Sequence, residues 1–523
     1  MMQAGRKVIY TDVPEITYEN VIDVLRRAMV DHLANSRRID YLIDYESGNQ
    51  PLVREKKTRT DINAHCVDNI ANEATEFWCG FAFGNPITLV QNGNRDDADI
   101  PDGIKLLNQN YDLAKAKTKT QETARYIIID GVANVFIDVN TEWEDGKSYF
   151  TYDVLDPRTS FIVRSGYYTD HRPMLGVTYR HDSITGRNYF TCFTKHNRYE
   201  IIDLHEITNG NWVEETSNWH HRDRSGEVNP LGKIPIVEYI RSHDRMGLWE
   251  RQIDEMDNLN LLISDFTNDV DQNTQAIWHG NDVDFPKEVI KSEDGTETEV
   301  LKKPGTNEWV LTYTTSDGKQ PFINPLAVAY DYTGMLNNIQ YRRQTILQKC
   351  NVPQRNDSSG GSTGVAMSDA TGWSQAETTA SKMQMIIDSC KMEEVEVVLA
   401  AIKVSPYVEQ DSPLRKLTLA DIEPSIKRQK TYEMTTKVNS IATLLSHGFA
   451  LEDTLEAIPI FNDNNEVCAR SGELVKKYQE SLFSDTSNSS NDTEKEPDSD
   501  RIMGDLSDNI DQSPMIDKSR VDK

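Results

Sequence analysis

The chain is poor in what marks a secreted scaffold, a membrane protein or a nucleic-acid reader. Its 523 residues hold six cysteines, Cys66, Cys79, Cys192, Cys350, Cys390 and Cys468, scattered and never in a CxxC pair. Such spacing supports neither a disulfide framework nor a zinc knuckle, and fits a reducing compartment. No apolar run approaches the roughly 18 residues of a membrane helix. Met1 to Pro14 lacks the apolar segment of a secretory signal. Positive charge is in deficit: 56 Lys and Arg against 84 Asp and Glu leave a net charge of −28. That excludes a tight sequence-reading nucleic-acid binder, which neutralises phosphates with Lys and Arg. It leaves room for a protein past which DNA must slide. Apolar residues make up 37 % and the mean hydropathy is −0.61, as in a folded chain with polar extensions.

Catalytic signatures are missing as well. The glycine loop 360–364 is no phosphate cradle, because Gly364 is followed by Val365 instead of the Lys-Ser/Thr of GxxxxGK[ST], and no strand precedes it. His220-His221, with Asp223 and His243 nearby, has no HExxH or Cys/His spacing and reads as the tip of a β meander. Asn462 to Asn465 lacks the alternating acids and central glycine of a calcium loop. Asp282-Val283-Asp284 has no partner base, and Ser217 with His220 or Ser446-His447 is no nucleophile elbow. The expectation is no enzyme, no cofactor and no metal.

What is present is a definite order of elements. Residues 17–47 carry Val21, Val24, Leu25, Ala28, Met29 and Leu33 at helical spacing and end at Ser47-Gly48. A second helix is predicted from Asp61 to Cys79 and a third from about Asp102 to Ile128. Strands are predicted at 87–90, 132–139, 149–154, 160–164, 175–179, 189–193, 200–204 and 234–239, the last seven as an antiparallel meander. Residues 1–248 thus read as an α+β unit. Residues 249–278 read as a helix about 40 Å long at 1.5 Å per residue, with an apolar stripe of Ile253, Met256, Ile263, Phe266 and Val270. Asp254, Asp257, Asp265 and Asp269 fall largely off that stripe. A short β insert spans about 281–325, with strand-like 299–302 and 309–315. A helix at 326–350, a polar glycine-rich loop at 351–364 and a long helix from Gly372 to Val404, ended by Pro406, follow. Residues 407–482 read as short helices around Leu417, Ile422, Val438, Ile441, Leu444, Leu445, Leu455 and Val475. From Ser484 the composition is too polar to offset its ordering entropy, so disorder is expected.

This order, and four stretches within it, resemble one family. Ile43 to Pro51 resembles a "DYYxGxxP" helix end, and Ala71 to Ile87 a "GYFxGNPI" stretch. Ile253 to Gly280 resembles a helix carrying "NxxxSDxxNDxxxxxNAxxxxxG", with Ser264-Asp265-Phe266-Thr267-Asn268-Asp269 matching well. Asn351-Val352-Pro353 and Ser362 to Met367 resemble "xTPxxxxxxxxxxSGxAxK". These are features of the portal proteins, or head-to-tail connectors, of tailed double-stranded-DNA bacteriophages, in particular long-tailed phages of Gram-positive hosts. The chain departs from them at Cys79, at Ser368 in place of a common Lys, and in the Ser/Thr/Ala richness of 367–381.

The resemblance implies a ring, normally twelve-fold, at one capsid vertex. Residues 1–248 would be the α/β wing, 249–280 and 326–350 a two-helix stem, 281–325 a β clip and 351–366 a tunnel loop. Residues 367–406 would be a long kinked wing helix, 407–483 an α-helical crown and 484–523 an acidic tail. Asp254, Asp257, Asp265 and Asp269 would line the stem channel. Gln354, Arg355, Asn356, Ser358, Ser359, Ser362 and Thr363 would face DNA. Lys287, Lys291, Lys302, Lys303 and Lys319 would dock the terminase large subunit, then head-completion or adaptor proteins. Major capsid and scaffolding proteins and the viral DNA complete the expected partners, with no membrane. A terminase is disfavoured by the missing Walker motif. A scaffold or head-tail adaptor without a DNA channel would not need a β insert between two long helices.

Overall fold

The computed structural model describes residues 5–52, 63–92, 99–184, 187–203, 219–222, 225–274, 278–281, 283–284, 287–291, 297–301, 311–312, 321–325, 331–354, 372–426, 428, 434–458, 460–461, 467–468 and 470–477. They form two compact units, divided after Gln429.

The first unit begins with β1 (Ile9–Thr11) and α1 (Val21–Glu46). α1 has neither Gly nor Pro in 26 residues, so nothing interrupts its ladder. Its first half buries Val24, Leu25 and Met29 on one core, and its end places Leu42 and Tyr45 in another. The helix therefore braces two sheets. After α2 (Ile70–Phe83), β2 (Thr88–Gln91), α3 (Asp99–Leu113) and α4 (Ala116–Ile129) come β3 (Val132–Val139) and β4 (Phe150–Leu155). The strands β5 (Ser160–Ser165), β6 (Pro173–Asp182), β7 (Arg187–Phe193), β8 (Asn197–Asp203), β9 (Trp219–His221), β10 (Glu227–Val228) and β11 (Ile236–Ile240) complete this part.

One sheet runs β1-β5-β6-β7-β8-β10, with β9 also on β8, and faces α1. Among the described residues of this sheet only β1 with β5 is parallel. A second sheet, β11-β3-β4, carries the larger core on Val135, Ile137, Phe150 and Tyr152. A short 3₁₀ turn at Glu250–Gln252 leads into α5 (Ile253–Thr274). Then β12 (Trp278–Asn281), β13 (Val283–Asp284), β14 (Lys287–Lys291), β15 (Glu297–Leu301), β16 (Leu311–Thr312) and β17 (Phe322–Pro325) pair as nested antiparallel couples, β12 with β17, β13 with β16 and β14 with β15. α6 (Tyr332–Lys349), α7 (Trp373–Val404), α8 (Pro413–Lys416) and β18 (Ile422–Ser425) close the unit. The second unit contains α9 (Met434–Ser446) and α10 (Leu451–Ala457).

An α+β architecture agrees with the sequence, but several elements differ. The predicted helix from Asp61 starts only at Ile70, where the Asn69 side chain caps the Asn72 amide; residues 63–69 are extended because other groups take their amides, as described below. The single helix predicted over 102–128 is two, broken at Lys115, whose φ of +58° is left-handed and stops the ladder. The seven-strand meander is two sheets, since β11 returns to pair with β3. β1 was not expected; three residues give too little alternation to read. The helix predicted to Trp278 ends at Thr274, with Trp278 paired to Pro325; its 22 residues span about 33 Å. α6 starts at Tyr332, where the Asp331 side chain caps the Gly334 amide at 2.9 Å. Ile422 is not helical: β18 pairs antiparallel with β2, Ile422 opposite Gln91. The tail from Ser484 lies outside the described residues.

Candidate functional site

The site is the helix pair α5–α6 with the β insert between them. At its root Trp249 is fully buried, stacks on Tyr45 at 5.7 Å and donates from Nε1 to Thr75 Oγ1 at 3.0 Å. The first turns of α5 bury Ile253, Met256 and Leu259. Beyond them the buried stripe turns polar: Asn260, Ser264 and Asn268 are 1 %, 0 % and 2 % exposed.

These three side chains have a shared job. The backbone amides of Asp68, Cys66 and Ala64 donate to Asn260 Oδ1 at 2.8 Å, Ser264 Oγ at 3.0 Å and Asn268 Oδ1 at 2.7 Å. A helix advances about 6.0 Å in four residues and a strand about 6.6 Å in two. Alternate amides of an extended segment therefore stay in step with every fourth residue of the helix. Asn260 also donates to Gln50 Oε1 at 2.6 Å, which anchors the lower rung to the end of α1.

α6 is joined to the same frame. Arg343 Nε donates to Asp68 at 2.8 Å, and the same guanidinium pairs with Glu73. Lys349 pairs with Glu255, Phe266 meets Tyr332 edge-on at 5.9 Å, and Trp78 Nε1 donates to the Cys350 carbonyl at 3.0 Å. Between the helices lies an open groove of about 290 Å³, rimmed by Asn258, Tyr341, Arg342 and Thr345.

The charges of the two helices are segregated. α5 carries Asp254, Glu255, Asp257, Asp265, Asp269 and Asp271 and no base, whereas α6 carries Arg342, Arg343 and Lys349 and no acid. The four aspartates singled out from the sequence do not form one open row. Asp254 is exposed, while Asp257, Asp265 and Asp269 are half-buried. Asp257 accepts from the Tyr45 hydroxyl at 2.8 Å. Burial raises its carboxyl, the Tyr45 bond opposing and Asp254 reinforcing the shift.

In the insert, Lys287 is exposed and pairs with Glu299 at 3.3 Å, and Lys291 ends β14. Lys302, Lys303 and Lys319 lie outside the described residues, as do Arg355, Asn356, Ser358, Ser359, Ser362 and Thr363. Of the loop residues singled out from the sequence only Gln354 is described, half-buried. The sequence reading missed two participants: the extended segment 63–69, and Tyr45 as partner of Asp257. The four-residue spacing of Asn260, Ser264 and Asn268 is the signal that points to the first.

The remaining candidates have other places. His220 is exposed on β9, and His221 stacks on Tyr18 at 3.8 Å and lies 2.9 Å from the Tyr18 carbonyl. Among the described residues no three His, Cys, Asp or Glu side chains group as a metal site, and no helix is long and apolar enough to cross a membrane.

Among protein-family models, residues 18–480 match one described as "Phage portal protein, SPP1 Gp6-like". No match was found among the curated proteins. Among solved structures, one chain from a "Neck of empty GTA particle computed with C6 symmetry" is similar at 10 % identity and a TM-score of 0.41, over 76 % of this chain and 91 % of that one.

Proposed function

The chain belongs to the SPP1 Gp6-like family of phage portal proteins, and from that premise we propose how its elements serve the passage of DNA. As a portal protein it is a structural, non-enzymatic component of the capsid portal vertex, through which the genome is packaged and ejected. Residues 1–248 and 367–406 form the wing, α5 and α6 the stem, residues 281–325 the clip, 351–366 the tunnel loop and 407–483 the crown, in a ring of about twelve copies.

The observation that carries this reading is the one-signed charge of α5. Six acids and no base lie on a helix of 22 residues. B-DNA carries one phosphate charge per roughly 1.7 Å of axis, so about 19 charges would pass such a helix at once. A basic wall would hold that strand; an acidic one repels it and leaves water and counterions between the surfaces. Asp254, exposed as Glu255 and Asp271 also are, leads this lining, and Asp257, Asp265 and Asp269 add to the field from half-buried positions.

Around that channel the clip lysines Lys287, Lys291, Lys302, Lys303 and Lys319 would form the docking surface for the terminase large subunit and afterwards for head-completion proteins that join the tail. The exposed Lys287, on a two-stranded ribbon, supports this reading. Gln354, Arg355, Asn356, Ser358, Ser359, Ser362 and Thr363 would touch DNA from the tunnel loop, where, Arg355 apart, hydroxyls and amides meet phosphates without strong charge. Contacts with major capsid and scaffolding proteins would seed the procapsid.

Replacing Asp254 and Asp269 with Lys tests the lining. DNA packaging in a reconstituted terminase reaction should slow, most at low salt, and recover as salt is raised. Packaging at the wild-type rate across the salt range would remove the acidic wall from the mechanism.

A further inference from the structure

The root of α5 is held by a residue from near the start of the sequence, 244 positions before Glu250. The Gly5 amide donates to the Asp244 carbonyl and the Arg6 amide to the Arg245 carbonyl, each at 3.0 Å, and Arg245 Nε returns a bond to the Arg6 carbonyl at 2.9 Å. The approach is so close that a Cβ on Gly5 would lie 2.0 Å from the Arg245 carbonyl oxygen. From there the Arg6 side chain, 1 % exposed, runs inward. Its Nε donates to the Arg245 carbonyl at 3.1 Å and its Nη2 pairs with Glu250, itself buried. Glu250 opens the 3₁₀ turn that starts α5. Three residues after Arg6 the chain enters β1, bound parallel to β5. A strap thus connects the edge of the first sheet to the root of the stem helix.

The pairing inside this joint is incomplete. Arg6 Nη1 has no hydrogen-bond partner among the described residues, and neither has either carboxylate oxygen of Asp130, which is fully buried. Asp130 caps the C-terminus of α4. The next residue, Gly131, lies so close to Met246 and Arg245 that a Cβ there would clash with their backbone, so Asp130 borders the turn that Arg6 grips. A buried charged group without a partner is costly. Here an open guanidinium nitrogen and an open carboxyl border the same turn.

We infer that Arg6 is a two-seat latch, pairing with Glu250 when the root of α5 is docked and with Asp130 when the root shifts. Glu250 is not stranded by the exchange, because the Gly247 amide and Arg38 Nε also donate to it, each at 3.0 Å. The strap stays attached to the first sheet in both states, so the stem root moves without its unfolding. The groups acting on Asp130 fit the docked state: burial raises its carboxyl far above the usual range, Arg6 is the strongest charge opposing that, and Asp156, Arg158 and Glu250 act beyond it. Burial therefore favours the neutral form of Asp130 while Arg6 sits on Glu250. It gives up that proton to solvent when Arg6 arrives, and rising pH favours the second seat.

A double-mutant cycle on the full chain, Glu250→Gln against Asp130→Asn, tests the latch by hydrogen exchange at the amides of Arg6 and Arg245. Asp130→Asn alone should leave exchange nearly unchanged, because it copies the neutral carboxyl. In the Glu250→Gln background the same change should speed exchange about tenfold, the second seat being lost as well. An infrared band of a protonated Asp130 carboxyl should be present in the wild type and vanish in Glu250→Gln. Equal effects of Asp130→Asn in both backgrounds, or a carboxyl band that persists, would overturn the inference. Should Glu250→Gln not fold, Glu250→Asp, one methylene shorter, is read by the same two measurements.

Discussion

Glu238, on β11, is enclosed by two guanidiniums, Arg245 at 2.5 and 2.9 Å and Arg164 at 3.2 Å. Burial alone would raise its carboxyl, but Arg245 and then Arg164 outweigh burial and hold it at about 2. The folded value lies below the unfolded one. The stabilisation is therefore complete above about 4.5, the ordinary value, and drains away as pH falls toward 2. Glu238→Gln should lower stability at neutral pH by about 3–5 kcal/mol, the cost of leaving a buried guanidinium unpaired. It should also flatten the acid limb of the stability curve. Thermal melts between pH 2 and 7 check both, and parallel curves for wild type and variant would refute the assignment. None of this was visible in the sequence, where Glu238 is one acid among many. Its partners lie 7 and 74 residues away, and only the approach of β5 in the first sheet to β11 in the second brings Arg164 beside it. Asp257 is a similar case: its place on the polar side of a helix was legible, its Tyr45 partner 212 residues away was not.

The elements divide along the same physical line. α1 and α7 were legible because each is a long periodic run without Gly or Pro, and the local pattern agrees with the packing it meets. That a β insert follows α5 was legible from its strand-like stretches; its nested pairing was not. Segment 63–69 was not, because its own residues tolerate a helix and the decision is made by Asn260, Ser264 and Asn268 on α5. β18 was misread for a like reason: four residues whose partner strand lies more than 300 positions earlier. The ladder on α5 has a measurable consequence. Ser264 accepts from the Cys66 amide at 3.0 Å and donates to the Asn260 carbonyl at 2.8 Å. Ser264→Ala keeps the helix but strands a part-buried amide, at about 1–3 kcal/mol. Hydrogen exchange at Cys66 and its neighbours should accelerate while α5 itself stays protected. Unchanged protection of 63–69 would mean that other contacts hold the segment.

At the scale of the whole molecule, the acidic balance and the portal assignment were both available from the sequence, the first from counting and the second from stretches such as Gly84-Asn85-Pro86. The −28 charge that argued against a DNA binder is compatible with a DNA conduit, since guiding and holding ask for opposite signs. The same charge bears on assembly. Each copy joining a ring adds its −28 to the neighbours already there, and the repulsion acts over a Debye length of about 10 Å at 0.1 M salt and about 3 Å at 1 M. Local complementarity would work against it where Arg342 of α6 meets the acids of a neighbouring α5, Arg343 and Lys349 being paired within their own chain. Contacts at close range survive screening better than repulsion summed across whole subunits. Raising salt should therefore shift purified protein from monomer toward rings, up to the point where the close ion pairs weaken in turn. Sedimentation velocity across a salt series checks this, and rings that fall apart steadily as salt rises would show that attraction between unlike faces, not relief of the net charge, governs assembly.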